Sequence, residues 1–286
     1  MTLALFEQCP LQCNSTLIET NINLPEGKLR QCPSCGQLLS ACSQEWYNQS
    51  MQEFNTSEGM VPEGSHHQRY NKRMSHILVH AKTQLAYKTD NIISLDVGCS
   101  SGALLEVALR CGFHTHGAEP AEKAANTAAL IPNAHVFKGF LHEAKYPDNH
   151  FDIITLFEVI EHLTNPIELT QEMMRILKPG GILLIGTGNA DSWTVQVQGK
   201  KWEYFDISGH GGHISFFTPK SMQKLAQHCD LSVKNISTKR VNLGEKKHVS
   251  FIFYQFNKVI RELLALPARW VHKGHDMLVT MQKPMS

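Results

Sequence analysis

Leu95-Asp96-Val97-Gly98-Cys99-Ser100-Ser101-Gly102 is the stretch on which the fold turns. It stands where an apolar run, Ile92–Val97, meets Ala103–Cys111, whose apolar residues recur at helical spacing. A glycine at such a corner lets the backbone approach a ligand closely, and the helix N-terminus offers free N–H groups. By itself the corner is equally a nucleotide site or a tight strand–helix turn.

On either side, short apolar runs alternate with amphipathic segments, the pattern of a parallel α/β sheet with crossover helices. Strands are predicted at Ile92–Val97, Thr115–Glu119, His135–Lys138, Phe151–Phe157 and Ile182–Gly186. Helices are predicted at Ala103–Cys111, Ala121–Leu130, Pro166–Leu177 and Pro219–His228, with Lys178-Pro179-Gly180-Gly181 stopping the third. After Leu231–Ser237, a helical stretch at Phe251–Leu266 precedes a last strand, Met277–Met281. Upstream, Asn71–Tyr87 reads as a helix, while Gln44–Arg69 is polar and broken by Gly59, Pro62 and Gly64. The second strand ends in Glu119, placed to accept hydrogen bonds from ribose hydroxyls as in doubly wound folds. Corner and carboxylate together leave NAD and S-adenosylmethionine open.

Two later segments separate those cofactors. Phe151-Asp152-Ile153-Ile154-Thr155-Leu156-Phe157-Glu158-Val159-Ile160-Glu161-His162-Leu163, followed by Arg175-Ile176-Leu177-Lys178-Pro179-Gly180-Gly181, resembles the class I S-adenosylmethionine-dependent methyltransferases. Within them the chain is most similar to the ubiquinone-pathway O-methyltransferases and their E-x-x-E-H element. The resemblance runs from about Arg73 to Cys229. It implies a Rossmann-like fold, with a mainly parallel seven-stranded sheet and helices on both faces. It also implies that Gly98, Cys99 and Gly102 hold the methionine end of the cofactor, oriented by Asp96, while Glu119 takes the ribose. Phe140 and Leu141 would flank the adenine, Phe157 the sulfonium, and Arg73 the cofactor carboxylate. Ser100 departs from the pattern, standing where the family carries its middle glycine.

A sulfonium methyl is already activated, so a base is needed only if the acceptor must lose a proton. His162 is the first candidate base and His213 the second; a histidine at a helix start that packs locally is the bland alternative. Glu158, Glu161 and His162, spaced i, i+3 and i+4, would share a face if helical and hold magnesium. An acidic first helix turn explains the two glutamates as well. Trp193 to Phe217, with Trp202, Tyr204, Phe205, His210 and His213, is a candidate lid over the acceptor.

Of eight cysteines, five lie in the first 42 residues. Cys9-x3-Cys13 and Cys32-x2-Cys35-Gly36 form two close pairs able to give four thiolates to a structural zinc, with Cys42 a substitute ligand. The arrangement is similar to bacterial methyltransferases with an N-terminal four-cysteine zinc module, several of which act on sugars or other small natural products. Cys99, Cys111 and Cys229 read as small core residues. The chain then divides into a zinc module at 1–45, a linker and helix at 46–90, and the catalytic domain at 91–286.

Length suits one α/β core with a small accessory module: 286 residues, 42% hydrophobic and 19% charged. A net charge of +1 makes no electrostatic case for nucleic acid or an anionic membrane; Lys200-Lys201 and Lys246-Lys247 read as solvated faces. No apolar run reaches membrane-span length and no secretory leader is evident, so the expected compartment is the cytoplasm. The expected partner is a small-molecule acceptor with a sugar, natural-product or phenolic hydroxyl; oligomeric state is left open. The alternatives are methylation of a macromolecule docked on the zinc module and a non-catalytic cofactor-binding scaffold.

Overall fold

The computed structural model describes residues 4–55, 64–206, 212–243 and 251–285. Gly59, Pro62, His210 and Lys246-Lys247 lie outside the described residues.

The chain opens with a hairpin, β1 (Ile18–Leu24) and β2 (Gly27–Gln31), then a two-residue strand, β3 (Leu38–Leu39). Helices α1 (Gln44–Asn55) and α2 (Gly64–Gln84) lead into β4 (Ile93–Val97), α3 (Ala103–Arg110), β5 (His114–Glu119), α4 (Glu122–Ala128) and β6 (Ala134–Lys138). After β7 (Phe151–Phe157), α5 (Pro166–Ile176) runs straight into β8 (Leu177–Gly188). Then come α6 (Trp193–Gln198), β9 (Ser215–Phe216), α7 (Pro219–His228), β10 (Ser232–Lys239), α8 (Phe251–Trp270) and β11 (Asp276–Gln282).

The central sheet has seven strands in the order β10-β11-β8-β7-β4-β5-β6, and β11 runs antiparallel to both its neighbours. Six residues of β7, Phe151 to Leu156, are fully buried, because helices cover both faces of a parallel sheet. Alternate side chains serve opposite layers. Ile153 packs with Met74 and Leu78 of α2, whereas Ile154 packs with Met173 of α5 and Leu225 of α7. Proline at the first helical position and a side-chain cap start both outer helices: Asn165 caps α5, and Thr218 with Ser221 forms a capping box on α7. The Lys178–Gly181 segment does not separate helix from strand. It is an irregularity inside β8, where pairing jumps from Phe151↔Leu177 to Ile153↔Ile182. Buried Asp152 holds that end together, accepting hydrogen bonds from the Ile93 N–H at 2.8 Å, the Tyr87 hydroxyl at 2.7 Å and Lys178 Nζ at 2.8 Å.

Two departures from the sequence expectations concern the N-terminal part. Gln44–Asn55 is helical, and α2 starts at Gly64 rather than Asn71. Residues 18–39 form a second sheet, β1-β2-β3-β9, whose last strand comes from the catalytic half. Leu38 pairs with Phe216 and Leu39 with Ser215; the Ser40 N–H donates to the Ile214 carbonyl at 2.8 Å. Trp202, Phe205 and Phe216 fill the space under the hairpin with Leu24 and Leu29.

At the far edge of the central sheet, the His116 ring stacks on His135 at 4.9 Å, with Tyr146, His150 and Phe151 set edge-on around it. Burial, then repulsion from His135, His150 and His114, pulls its pKa from 6.5 down to about 4. The folded chain therefore binds fewer protons than the unfolded chain between those values. This site's stability is complete above pH 6.5, falls as pH drops toward 4, and levels off below. His116→Phe should flatten that decline, so its Tm should fall less than that of the wild type between pH 7 and 4.5. Parallel curves in thermal melts would refute the assignment.

Candidate functional site

The corner after β4 has the shape expected of a ligand loop. Gly98 and Gly102 have φ values of 74° and 90°. A Cβ on Gly98 would lie 2.4 Å from Val159 Cγ2, and one on Gly102 would lie 2.3 Å from Ile131 Cδ1. Ser100, at the family's middle-glycine position, is also left-handed (φ 49°), at a cost of about 1–2 kcal/mol. Glu119 holds it there: one carboxylate oxygen accepts from the Ser100 N–H and the other from the Ala121 N–H, each at 2.8 Å. Each oxygen keeps a second lone pair. Asp96, buried beneath the loop, accepts from the Thr155 hydroxyl at 2.6 Å. Burial, then the charge of Glu119, raises its pKa to about 7; burial also raises that of Glu119.

The remaining cofactor candidates are placed unevenly around this loop. Leu141 is buried and Phe140 is 48% exposed. The Phe157 ring lies against Gly186 on the α2 side of the sheet. The Cys99 side chain packs with Leu105 and Ala128, which leaves only its backbone for a ligand. Arg73 sits on the solvent side of α2, near enough that its charge partly offsets the burial of Glu158.

The expectation of one helical face carrying Glu158, Glu161 and His162 is corrected. Glu158 is left-handed (φ 54°), and only Ile160–His162 forms a single 3-10 turn. The groups that do converge are Glu161, His162 and His213, with ligand-capable atoms within 4.8 Å of one another. Two imidazoles and one carboxyl do not make the oxygen-rich set that magnesium takes, so no step is assigned to magnesium. His162 and His213, two separate base candidates in the sequence, face each other at 4.7 Å between ring centroids. His213 Nδ1 lies 3.1 Å from the Tyr204 carbonyl, which can only accept, so Nδ1 carries the proton and Nε2 is the accepting nitrogen of the neutral ring. That Nε2 lies 3.8 Å from Glu161 Oε1. Burial, then the charge of Glu158, pushes the Glu161 carboxyl well above the usual carboxylate range. Glu161 Oε2 accepts from Thr187 at 2.9 Å, and Tyr204 donates its hydroxyl to Glu158.

Tyr204, Thr155 and Thr187 carry these contacts; the sequence reading named Tyr204 only as part of the lid and gave the two threonines no role. A threonine inside the apolar run Phe151–Phe157 was the legible signal for Thr155. Within the segment read as a lid, Trp202 and Phe205 are 1% and 2% exposed and anchor it to the hairpin, while Tyr204 and His213 face Glu158 and Glu161.

Cys9, Cys13, Cys32 and Cys35 bring their sulfurs within 4.8 Å of one another. Cys9 and Cys35 Sγ are 3.7 Å apart, matching the edge of about 3.8 Å for a tetrahedron with metal–sulfur distances of about 2.3 Å. Gly36, at φ 77°, makes the knuckle turn, its N–H donating to the Cys32 carbonyl at 2.8 Å. Cys42 is not a substitute ligand; it packs with Phe6, Leu39 and Ile214.

A family model described as a methyltransferase domain matches residues 66–235, more than half of the chain. The ubiquinone biosynthesis O-methyltransferase of Nitrosospira multiformis is 26% identical over 55% of this chain and 73% of its own length. That of Maricaulis maris is 30% identical over 38% of this chain and less than half (46%) of its own. Among solved structures, a SAM-dependent methyltransferase from Archaeoglobus fulgidus aligns with TM-score 0.53 at 18% identity, over 83% of this chain and all of that one. The [4+2]-cyclase SpnF aligns equally well, at 16% identity over 84% of this chain and 97% of its own. At such identities the structural likeness shows the fold alone, and the family match carries the activity. By that match, and by the loop, sheet order and strand-end acids already described, the chain belongs to the class I S-adenosylmethionine-dependent methyltransferases.

Proposed function

We propose that the chain methylates a hydroxyl of a small-molecule acceptor and that the His162–His213 pair takes the proton. One observation carries this reading: the pair stands at the end of β7, and Val159, from the same turn, rests on Gly98 of the cofactor loop. When bound, S-adenosylmethionine supplies a methyl group on a sulfonium, already activated for displacement. The protein's task is positioning and proton removal. Gly98, Cys99 and Gly102 would present backbone to the methionine end and Arg73 its charge to the carboxylate. Asp96 would orient the cofactor's ammonium, Glu119 the ribose, Phe140 and Leu141 the adenine, and Phe157 the sulfonium. A hydroxyl loses its proton on methylation, which gives the accepting Nε2 of His213 and the neighbouring His162 a purpose. O-methyl transfer is also what the names of the matched relatives state. Residues 1–45 would be a zinc-holding module, 46–90 its connection, and 91–286 the catalytic domain. No described helix is long and apolar enough to cross a membrane.

The test is incubation with S-adenosylmethionine and a panel of phenols and sugars, with the methylated atom identified by NMR. Methylation confined to nitrogen or carbon would overturn the O-directed reading. Glu119→Ala should weaken S-adenosylhomocysteine binding by about 1.5–3 kcal/mol, the range for hydrogen bonds to a charged group. Calorimetry on a folded variant measures this, and unchanged affinity would remove Glu119 from the site.

A further inference from the structure

A groove of about 400 Å³ runs along the sheet between α2 and β10, away from the loop after β4. Its α2 wall carries Arg73, His76 and His80, one stripe at i, i+3 and i+7. Lys239 lines the β10 side, Arg269 closes the end of α8, and Leu184 lies on the floor. No carboxylate lines the groove among the described residues. Burial, then repulsion from Arg73, Arg269 and Arg240, pulls the pKa of Lys239 down, so these cations crowd one another. Arg73, at one end, lies near enough to Glu158 for its charge to act there.

We infer that this groove binds a phosphate-type group carried by the soluble acceptor, a reading that rests on the proposed small-molecule methyl transfer. With Arg73 given to the cofactor carboxylate and His76 and His80 adding hydrogen-bonding nitrogens, the Arg269 guanidinium and the Lys239 ammonium still exceed what one carboxylate would neutralise. A planar fork and a point charge suit an oxyanion with several acceptor oxygens. The volume holds such a group together with part of a small molecule. With the anion in the groove, the rest of the acceptor extends past Arg73 toward His162 and His213.

Inorganic pyrophosphate, titrated calorimetrically into the full chain saturated with S-adenosylhomocysteine, tests the inference. Wild-type protein should bind it. The double variant Lys239→Gln, Arg269→Gln should bind it at least about tenfold more weakly, by the usual loss of charge-assisted hydrogen bonds. The variant's Tm and S-adenosylhomocysteine affinity should match those of the wild type. No binding to wild-type protein, or equal binding to the variant, overturns the inference. So does retention on phosphatidylglycerol vesicles, against phosphatidylcholine, in a chain that ignores pyrophosphate, because the anion would then be a bilayer head-group. Failure of S-adenosylhomocysteine to bind would instead strike the cofactor site, leaving the pyrophosphate result to be read alone.

Discussion

His162→Ala should slow methyl transfer by about 10²–10⁴-fold, the usual span for removing a positioned proton acceptor. Affinity for S-adenosylhomocysteine should stay within a factor of about two, because the loop after β4 and Glu119 are untouched. The geometry adds a companion expectation. His213 shares the same small space, its Nδ1–H held by the Tyr204 carbonyl and its Nε2 left as the accepting nitrogen. His213→Ala should therefore be about as damaging, and the double variant little worse than either single one, as for residues acting as a unit. Glu161→Gln keeps the shape of a carboxyl whose pKa burial and Glu158 push well up, so it should cost less than either histidine. Single-turnover kinetics on an accepted substrate would measure all four. Full activity in both histidine variants would show that the cluster only packs, and the base would have to be sought elsewhere.

Cys35→Ser should remove a bound zinc and loosen the N-terminal sheet. A structural zinc site of this kind carries about 10–16 kcal/mol of apparent binding energy, which is folding energy for so small a module. Wild-type protein should contain one zinc per chain by mass spectrometry; Cys32→Ser and Cys35→Ser should contain none and release the first 42 residues to protease. The loss should not stop there. Thr218 Oγ1 donates to the Cys35 carbonyl at 3.0 Å, β3 pairs with β9, and the Tyr47 hydroxyl donates to the His162 carbonyl at 2.7 Å. Turnover should fall together with metal content. A metal-free wild-type chain with an equally resistant N-terminus would refute the module.

The catalytic half was legible because its signals are local. Phe151–Phe157 was read to the residue, and the other parallel strands except β8 to within one, since a strand buried on both faces is written as a continuous apolar run. β1 does alternate Ile18, Thr20, Ile22 and Leu24 with Glu19, Asn21 and Asn23, a period-two signal that the sequence reading passed over; only Leu24 of that face is buried, so its apolar stripe is weak. β3 is a strand because it pairs with β2 on one side and, nearly 180 residues later, with β9 on the other, and a two-residue strand has no signature of its own. The functional centre divides in the same way. Asp96, Gly98 and Glu119 stand at strand ends that the pattern locates. The encounter of His162 with His213 depends on Ile214 N–H donating to the Glu161 carbonyl, a pairing between distant segments. Glu158 was misread because its spacing to Glu161 fits a helix, and a left-handed glutamate leaves no trace in spacing.

The interior position of β11 governs the order in which the sheet can be assembled. β10 touches the sheet only through β11, and β8 presents an apolar edge, Ile182 to Ile185, until β11 arrives. During synthesis five parallel strands can associate early, while β10 waits without a partner for the twenty residues of α8 and then β11 to emerge. The chain must therefore carry an unpaired hydrophobic edge while everything from Asn189 to His275 is made, the state in which sheets are most prone to wrong association. Shortening the chain through β11 would not trim one strand; it would cast β10 loose as well.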